Sequence, residues 1–165
     1  FIIFLTLTLY MEIREATNED ISEIKDMMKH LFLTWDKIDS MDKIDKTWFS
    51  LKESSQLISQ RMSSESKKYF VAEKDGKIVG YIFGLIEVRP ACLDKEIGLI
   101  DELFVKLDHR KSAVGKSLTN KMLEWFKSKK LKWTITLTHS QDEGANSYWI
   151  NFGYKDYNRK YRKKL

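Results

Sequence analysis

Over residues 100–129 the chain passes from the period of a strand to that of a helix across one short basic turn, and few folds accommodate that change. Ile100, Leu103, Phe104 and Val105 are apolar, with Asp101 and Glu102 set among them, as in a largely buried strand. From Val114 onward, Leu118, Met122 and Trp125 or Phe126 recur at helical spacing. The turn between them, Arg110-Lys-Ser-Ala-Val-Gly-Lys-Ser117, is basic and rich in small residues. A helix starting there leaves its first N–H groups without carbonyl partners, and its dipole adds partial positive charge at the same end. The stretch therefore predicts an anion site, with Arg110, Lys111 and Lys116 facing the negative charge. The competing reading of these three side chains is a solvated basic surface.

The rest of the chain fits around this unit. Residues 12–15 read as a first strand, and Thr17-Asn-Glu-Asp20 resembles a capping box that opens a helix with Ile21, Ile24, Met27 or Met28 and Leu31 inward. A second helix spans 47–62. Asp75-Gly76 joins strands 69–73 and 77–86 as an antiparallel hairpin. A loop with the only proline precedes strand 97–105, and the central helix runs over about 114–129. A strand over 133–138, a short helix over 145–151 ended by Gly153, and a last strand over 154–161 complete the pattern. The order β-α-α-β-β-β-α-β-α-β implies one α/β (α+β) domain over residues 11–165, with a mixed, mainly antiparallel sheet of six to seven strands and helices on both faces.

Residues 1–10 are almost wholly apolar or hydroxylated, too short to span a bilayer, and read as an extension preceding the domain. Such a segment would pair with a sheet edge, and could support a homodimer. Net charge is +5 with a pI near 9.1, which suits a polyanionic ligand, whether a nucleotide-like molecule, a nucleic acid or an anionic surface. Cys92 is the only cysteine, so an intrachain disulfide and a cysteine-based zinc site are both excluded. We expect no metal, no membrane span and a reducing, cytoplasmic compartment.

Arg110-x-x-Ala113-x-Gly115 resembles the Arg/Gln-x-x-Gly-x-Gly/Ala signature of the GNAT N-acetyltransferases. Ala145-Asn-Ser-Tyr-Trp149-Ile-Asn-Phe-Gly153-Tyr154 resembles that family's Ala-x-x-φ-Tyr-x-x-x-Gly-Phe segment, φ being apolar. The resemblance covers residues 11–165 and implies acetyl-CoA as co-substrate, without a metal. It implies that Arg110, Lys111, Ser112, Ala113, Val114, Gly115, Lys116 and Ser117 hold the pyrophosphate, and that Leu103, Phe104 and Val105 lie beside the pantetheine arm. Asp142, Asn146 and Trp149 would complete the CoA contacts. The sequence departs from the pattern twice. Ala113 replaces the first glycine, which alanine can do only where the backbone is helical rather than at positive φ. Trp149 replaces the tyrosine that often protonates the leaving thiolate, and an indole N–H is no acid.

The implied reaction is transfer of an acetyl group to an amine, carried by a small molecule or a protein, by direct attack in a ternary complex. An ammonium with a pKa of about 10.4 must first lose a proton. Asp101 and Glu102 are the candidate bases, pointing to opposite faces of their strand, with Glu102 favoured for its reach and His139 as a rival. The Val105 N–H would bind the oxyanion if its strand splays from the next. Tyr148 would stand in as the acid, or simply pack. Trp35, Asp36 and Asp39, with Asp42 and Asp45 at the same spacing, would draw a cationic acceptor, although Lys37, Lys43 and Lys46 largely neutralise them. Two other readings compete. One is a nucleic-acid-binding module built on the basic 155–164 segment with Tyr154, Tyr157 and Tyr161, although no common RNA-binding motif is present. The other is a non-catalytic acyl-CoA sensor.

Overall fold

The computed structural model describes residues 11–39 and 43–163. The expected extension at 1–10, its edge pairing, and Asp42 lie outside the described residues.

Chain order sets most of the sheet. β2 (Lys67–Lys74) and β3 (Lys77–Val88) are joined at Asp75-Gly76, where both residues take positive φ, 51° and 71°, as a tight hairpin turn requires. β1 (Met11–Glu15) pairs antiparallel with β2, and β4 (Glu96–Val105) antiparallel with β3. β5 (Thr134–Thr136) returns parallel to β4 after a helical crossover. The result is a sheet of five described strands in the order β1-β2-β3-β4-β5, mainly antiparallel.

Strand alternation then divides the core in two. On one face Tyr69, Val71, Tyr81, Phe83 and Phe104 meet α1 (Ile21–Ile38) and α2 (Lys52–Met62) through Ile24, Met27, Met28 and Ile58. On the other, Phe70, Ala72, Ile82 and Ile100 meet α3 (Val114–Ser128) and α4 (Glu143–Phe152) through Val114, Leu118, Met122, Phe126 and Trp149.

The described residues hold five of the expected six to seven strands, and residues 154–163, expected as the last, form none. Tyr154 packs into the α3–α4 core and its hydroxyl bonds Thr134 Oγ1 at 2.8 Å, but Tyr157 and Tyr161 are exposed. Tyrosines at 154, 157 and 161 are spaced by three and then four, so no single face of a strand collects them.

Two departures from regularity shape the C-terminal end of β4. Phe83 pairs with Glu102 but Gly84 pairs with Ile100, so Asp101 is an extra residue bulged out of the strand. The second is the early end of β5. Its ladder stops at Ile100–Thr136, while β4 runs on to Val105 with no strand on that side among the described residues.

β3 also approaches β4 and α3 closely at Gly80. A Cβ there would sit 2.8 Å from the Phe104 carbonyl oxygen and 3.3 Å from Val114 and Leu118. Because the nearest atom is backbone, it cannot rotate away. Gly80→Ala should therefore cost about 2 kcal/mol, read as a lowered urea midpoint with an unchanged m-value.

Candidate active site

The basic turn leads into a helix that begins at Val114, as the sequence pattern predicts. Ala113 precedes α3 with helical φ, ψ of −71°, −7°, so alanine is unstrained where a glycine was expected. The left-handed residue of the turn is Lys111, at φ 58°. No side chain caps the helix, and its first turn holds no acid. Ser117 N–H bonds the Ala113 carbonyl at 2.9 Å, and Ser112 Oγ reaches Val114 N–H only at 3.5 Å. Gly115 and Lys116 thus present N–H groups at the positive end of the helix. Lys111, Ser112, Ala113 and Lys116 are exposed around them. Arg110 braces the turn against β4: its Nε donates to the Val105 carbonyl at 2.9 Å, and its guanidinium lies 5.5 Å from the Phe104 ring centre.

The end of β4 adds a second set of free groups. Lys106 N–H donates to the Val79 carbonyl at 2.9 Å. Since antiparallel residues alternate in the partner they face, Phe104 and Glu102 turn their amides to β3, and Leu103 and Val105 turn theirs away. On that far side β5 has already ended. The Leu103 and Val105 N–H groups therefore point into the splay between the two strands, beside the open start of α3.

The carboxylates divide differently from the expectation. Glu102 is buried, at 3% exposure, and both of its oxygens are engaged, with Arg61 at 2.8 Å and the Tyr81 hydroxyl at 2.9 Å. Burial pushes its carboxyl above the ordinary glutamate range, and Arg61 pulls it part of the way back. Arg61 also donates to the Tyr69 hydroxyl at 3.0 Å and lies over the Phe83 ring at 4.4 Å. Asp101, the bulged residue, is only half-buried, and strict alternation does not apply to it. Burial raises its carboxyl as well, against the charge of Arg61. Sequence reasoning missed Arg61. The available signal was its place on α2, one turn after Ile58 and next to Met62, on the inward side of the helix.

The α4 segment is largely committed to its own architecture. Asp142 caps α4, its Oδ1 accepting from Ala145 N–H at 2.9 Å. Asn146 donates to the His139 and Ser140 carbonyls at 3.1 and 3.2 Å and accepts from Thr138 Oγ1. Trp149 is buried in the core between Phe152 and Tyr154. Tyr148 turns toward α3 instead, bonding Thr119 Oγ1 at 2.8 Å, its ring 3.6 Å from where a Cβ on Gly115 would lie. Burial raises its phenol, opposed by the bond to Thr119, so it stays protonated at neutral pH.

At the end of α1, Trp35 stacks on Phe32 and lies 5.6 Å from the His139 ring. Asp36 accepts from Ile44 N–H at 3.1 Å, and Asp45 from Thr47 N–H at 2.9 Å, so both fold the following loop rather than stand open. Asp39 bonds Arg162, and His139 Nδ1 lies 3.8 Å from the same carboxylate. His30 of α1 stacks on Phe104, with ring centres 6.3 Å apart. Among the described residues, no group of three or more His, Cys, Asp or Glu side chains is placed to hold a metal, and no helix is long and apolar enough to cross a membrane.

Comparison with known proteins agrees with this architecture. The chain is 22% identical over 144 residues to an uncharacterised N-acetyltransferase of Methanocaldococcus jannaschii, covering 87% of this chain and 60% of that one. Its fold is similar to that of the aminoglycoside N-acetyltransferase AAC(6')-Iy solved in complex with CoA, with a TM-score of 0.76, 16% identity, and 98% and 99% of the two chains covered. It is also similar to a Trypanosoma brucei acetyltransferase, with a TM-score of 0.69, 18% identity, and 94% and 100% covered. The sequence model of the acetyltransferase (GNAT) family matches residues 33–154, and the chain belongs to that family.

Proposed function

We propose that this protein is an acetyl-CoA-dependent N-acetyltransferase that moves an acetyl group to an amine by direct attack in a ternary complex. The observation that carries the reading is the convergence of two sets of N–H groups without a partner among the described residues: those of Leu103 and Val105 in the β4–β5 splay, and those of the uncapped α3 start. An extended amide-bearing arm that ends in a pyrophosphate satisfies both at once. Acetyl-CoA, when bound, supplies the activated acetyl thioester.

The Gly115 and Lys116 N–H groups, with Lys111 and the exposed part of Arg110, would hold the pyrophosphate. Val105 N–H, nearer the α3 start, would pair with an amide of the arm, and Leu103 N–H, further along β4 toward Asp101, would be the donor placed to stabilise the oxyanion. Trp149 would support the CoA site from the core rather than line it, and Asp142 and Asn146 would shape the loop beside it. Tyr148, its hydroxyl held by Thr119 beside Gly115, would pack at the pyrophosphate end of the arm, and the leaving thiolate would depart without it. Glu102 has both oxygens occupied, so we assign the base to Asp101, directly or through water, and give Glu102 the task of fixing Arg61 nearby.

Titration calorimetry with acetyl-CoA, desulfo-CoA and a phosphate-only control tests the cofactor reading. Binding that needs the pantetheine arm supports it, and absence of binding sinks it. The alternative is an acyl-CoA sensor without turnover, which the engagement of Glu102 and the burial of Trp149 favour. Release of CoA in the presence of amines separates the two.

Asp101→Asn should lower kcat/KM roughly thirtyfold at pH 7 while leaving acetyl-CoA affinity unchanged. A base with a raised carboxyl pKa loses activity as pH falls through that raised value, so the wild-type acid limb should lie above the ordinary aspartate range and vanish in the variant. The deficit should shrink near pH 10, where the amine is already neutral.

A further inference from the structure

The corner formed by Trp35, Asp39 and His139 stands at the open mouth of the splay, since His139 follows the end of β5 and Asp39 follows the end of α1. Asp39 leaves the helix in an extended conformation, with its N–H still held by the Trp35 carbonyl at 2.8 Å. Its side chain is mostly buried, 13% exposed, 3.8 Å from the His139 imidazole, whose ring in turn lies 5.6 Å from the Trp35 indole. An aromatic wall beside a half-sheltered carboxylate is a cation subsite. The group that reaches it comes from the far end of the chain: Arg162, carried by the strandless 154–163 tail, bonds Asp39 from 123 residues away. Tyr157 and Tyr161 of the tail are exposed, and the Arg162 side chain remains 43% exposed, so this contact can exchange with a group from solution.

We infer that Trp35, Asp39 and His139 form a subsite for the guanidinium of an arginine-bearing acceptor, and that Arg162 fills it in cis as a stand-in for that substrate. The inference rests on the acetyltransferase reading for the neighbouring cleft and names the acceptor class. The tail itself shows the chemistry that fits: Arg162 is flanked by Lys160 and Lys163, primary amines within one or two residues of the guanidinium. A basic peptide with a lysine near an arginine would place its guanidinium on Asp39 and its amine toward the splay, displacing the tail.

The test uses fluorescein-labelled Lys-Tyr-Arg-Lys and its twin with neutral citrulline for arginine, with binding read by anisotropy on the full chain. Arg162→Ala should tighten the arginine peptide about three- to tenfold, the worth of a partly exposed charge-assisted pair, and leave the citrulline twin unchanged. Asp39→Asn in the Arg162→Ala background should erase the difference between the twins. Equal affinities of the twins in Arg162→Ala, or no gain over wild type, would overturn the inference. Because anisotropy needs no turnover, failure of acetyl transfer to any amine would strike the catalytic reading and leave this result standing.

Discussion

Arg61→Ala should destabilise the protein by about 3–5 kcal/mol, and by more at pH 8 than at pH 4. The side chain joins α2 to the sheet through Glu102, Tyr69 and the face of Phe83. Removing it leaves a carboxylate that is 2% exposed with only the Tyr81 hydroxyl for company. Breaking a buried pair from one side costs far more than the pair contributes, because the orphaned charge remains desolvated. The Glu102 carboxyl is already above its ordinary value through burial, with Arg61 acting to lower it. Without Arg61 it rises further. A group whose folded pKa exceeds its unfolded value stabilises the fold while both states are protonated, and that contribution is lost as pH rises through the folded value. The penalty should therefore be smaller near pH 4 than at pH 8, growing as pH rises above the ordinary glutamate range, in urea titrations at both. Replacing Glu102 with Gln in the same background should recover part of the loss at pH 8, since no charge is then left buried. Equal penalties at the two pH values would mean that packing, not charge, dominates at this position.

The second large effect is in binding. Gly115→Asp should weaken acetyl-CoA binding about a hundredfold while leaving the fold intact or slightly firmer. Gly115 lies in the first turn of α3, where an acid is favoured by the helix dipole by about 0.5 kcal/mol. A Cβ there would meet only Tyr148, at ordinary contact distance, and the φ is not in the left-handed range. Nothing in the fold opposes the change. At the anion site, however, a carboxylate ~5 Å from a phosphate in an effective dielectric of ~20 costs about 3 kcal/mol for each unit of facing charge. Calorimetry should show the loss, and a thermal melt should show an unchanged or slightly raised Tm. A variant with full affinity would move the phosphates away from the α3 start.

What could be read in advance was whatever the chain encodes locally. The Asp75-Gly76 turn, the amphipathic face of α3, the Gly153 stop and the basic turn at 110–117 each depend on residues a few positions apart. The helical backbone at Ala113 meets the condition under which alanine replaces glycine freely. The partner of Glu102 was out of reach because it lies 41 residues away on another element. The bulge at Asp101 was hidden for a related reason. It is a property of how β4 registers against Phe83 and Gly84, and nothing in β4 alone announces it. Strict alternation, applied to 101 and 102, therefore could not describe how the two carboxylates are placed. The last strand failed on spacing: Tyr154, Tyr157 and Tyr161 suggest a strand by composition, but three-then-four spacing scatters them.

The brevity of β5 has a mechanical consequence. β1 through β4 form one broad leaf bonded along its length, while the described backbone pairing of β5 to that leaf is only three residue pairs long, Gly98–Thr134, Leu99–Ile135 and Ile100–Thr136. Past that seam β4 and β5 no longer pair among the described residues, and α4 is joined to α3 through Trp149 and Tyr148. A seam so short acts as a book spine at one end of the page: it closes that end by backbone bonds and leaves the far opening to the packing of α3 and α4. A molecule laid in the opening and bonded to both leaves would complete the seam, so the spacing of the reacting groups would be set in part by the substrate itself.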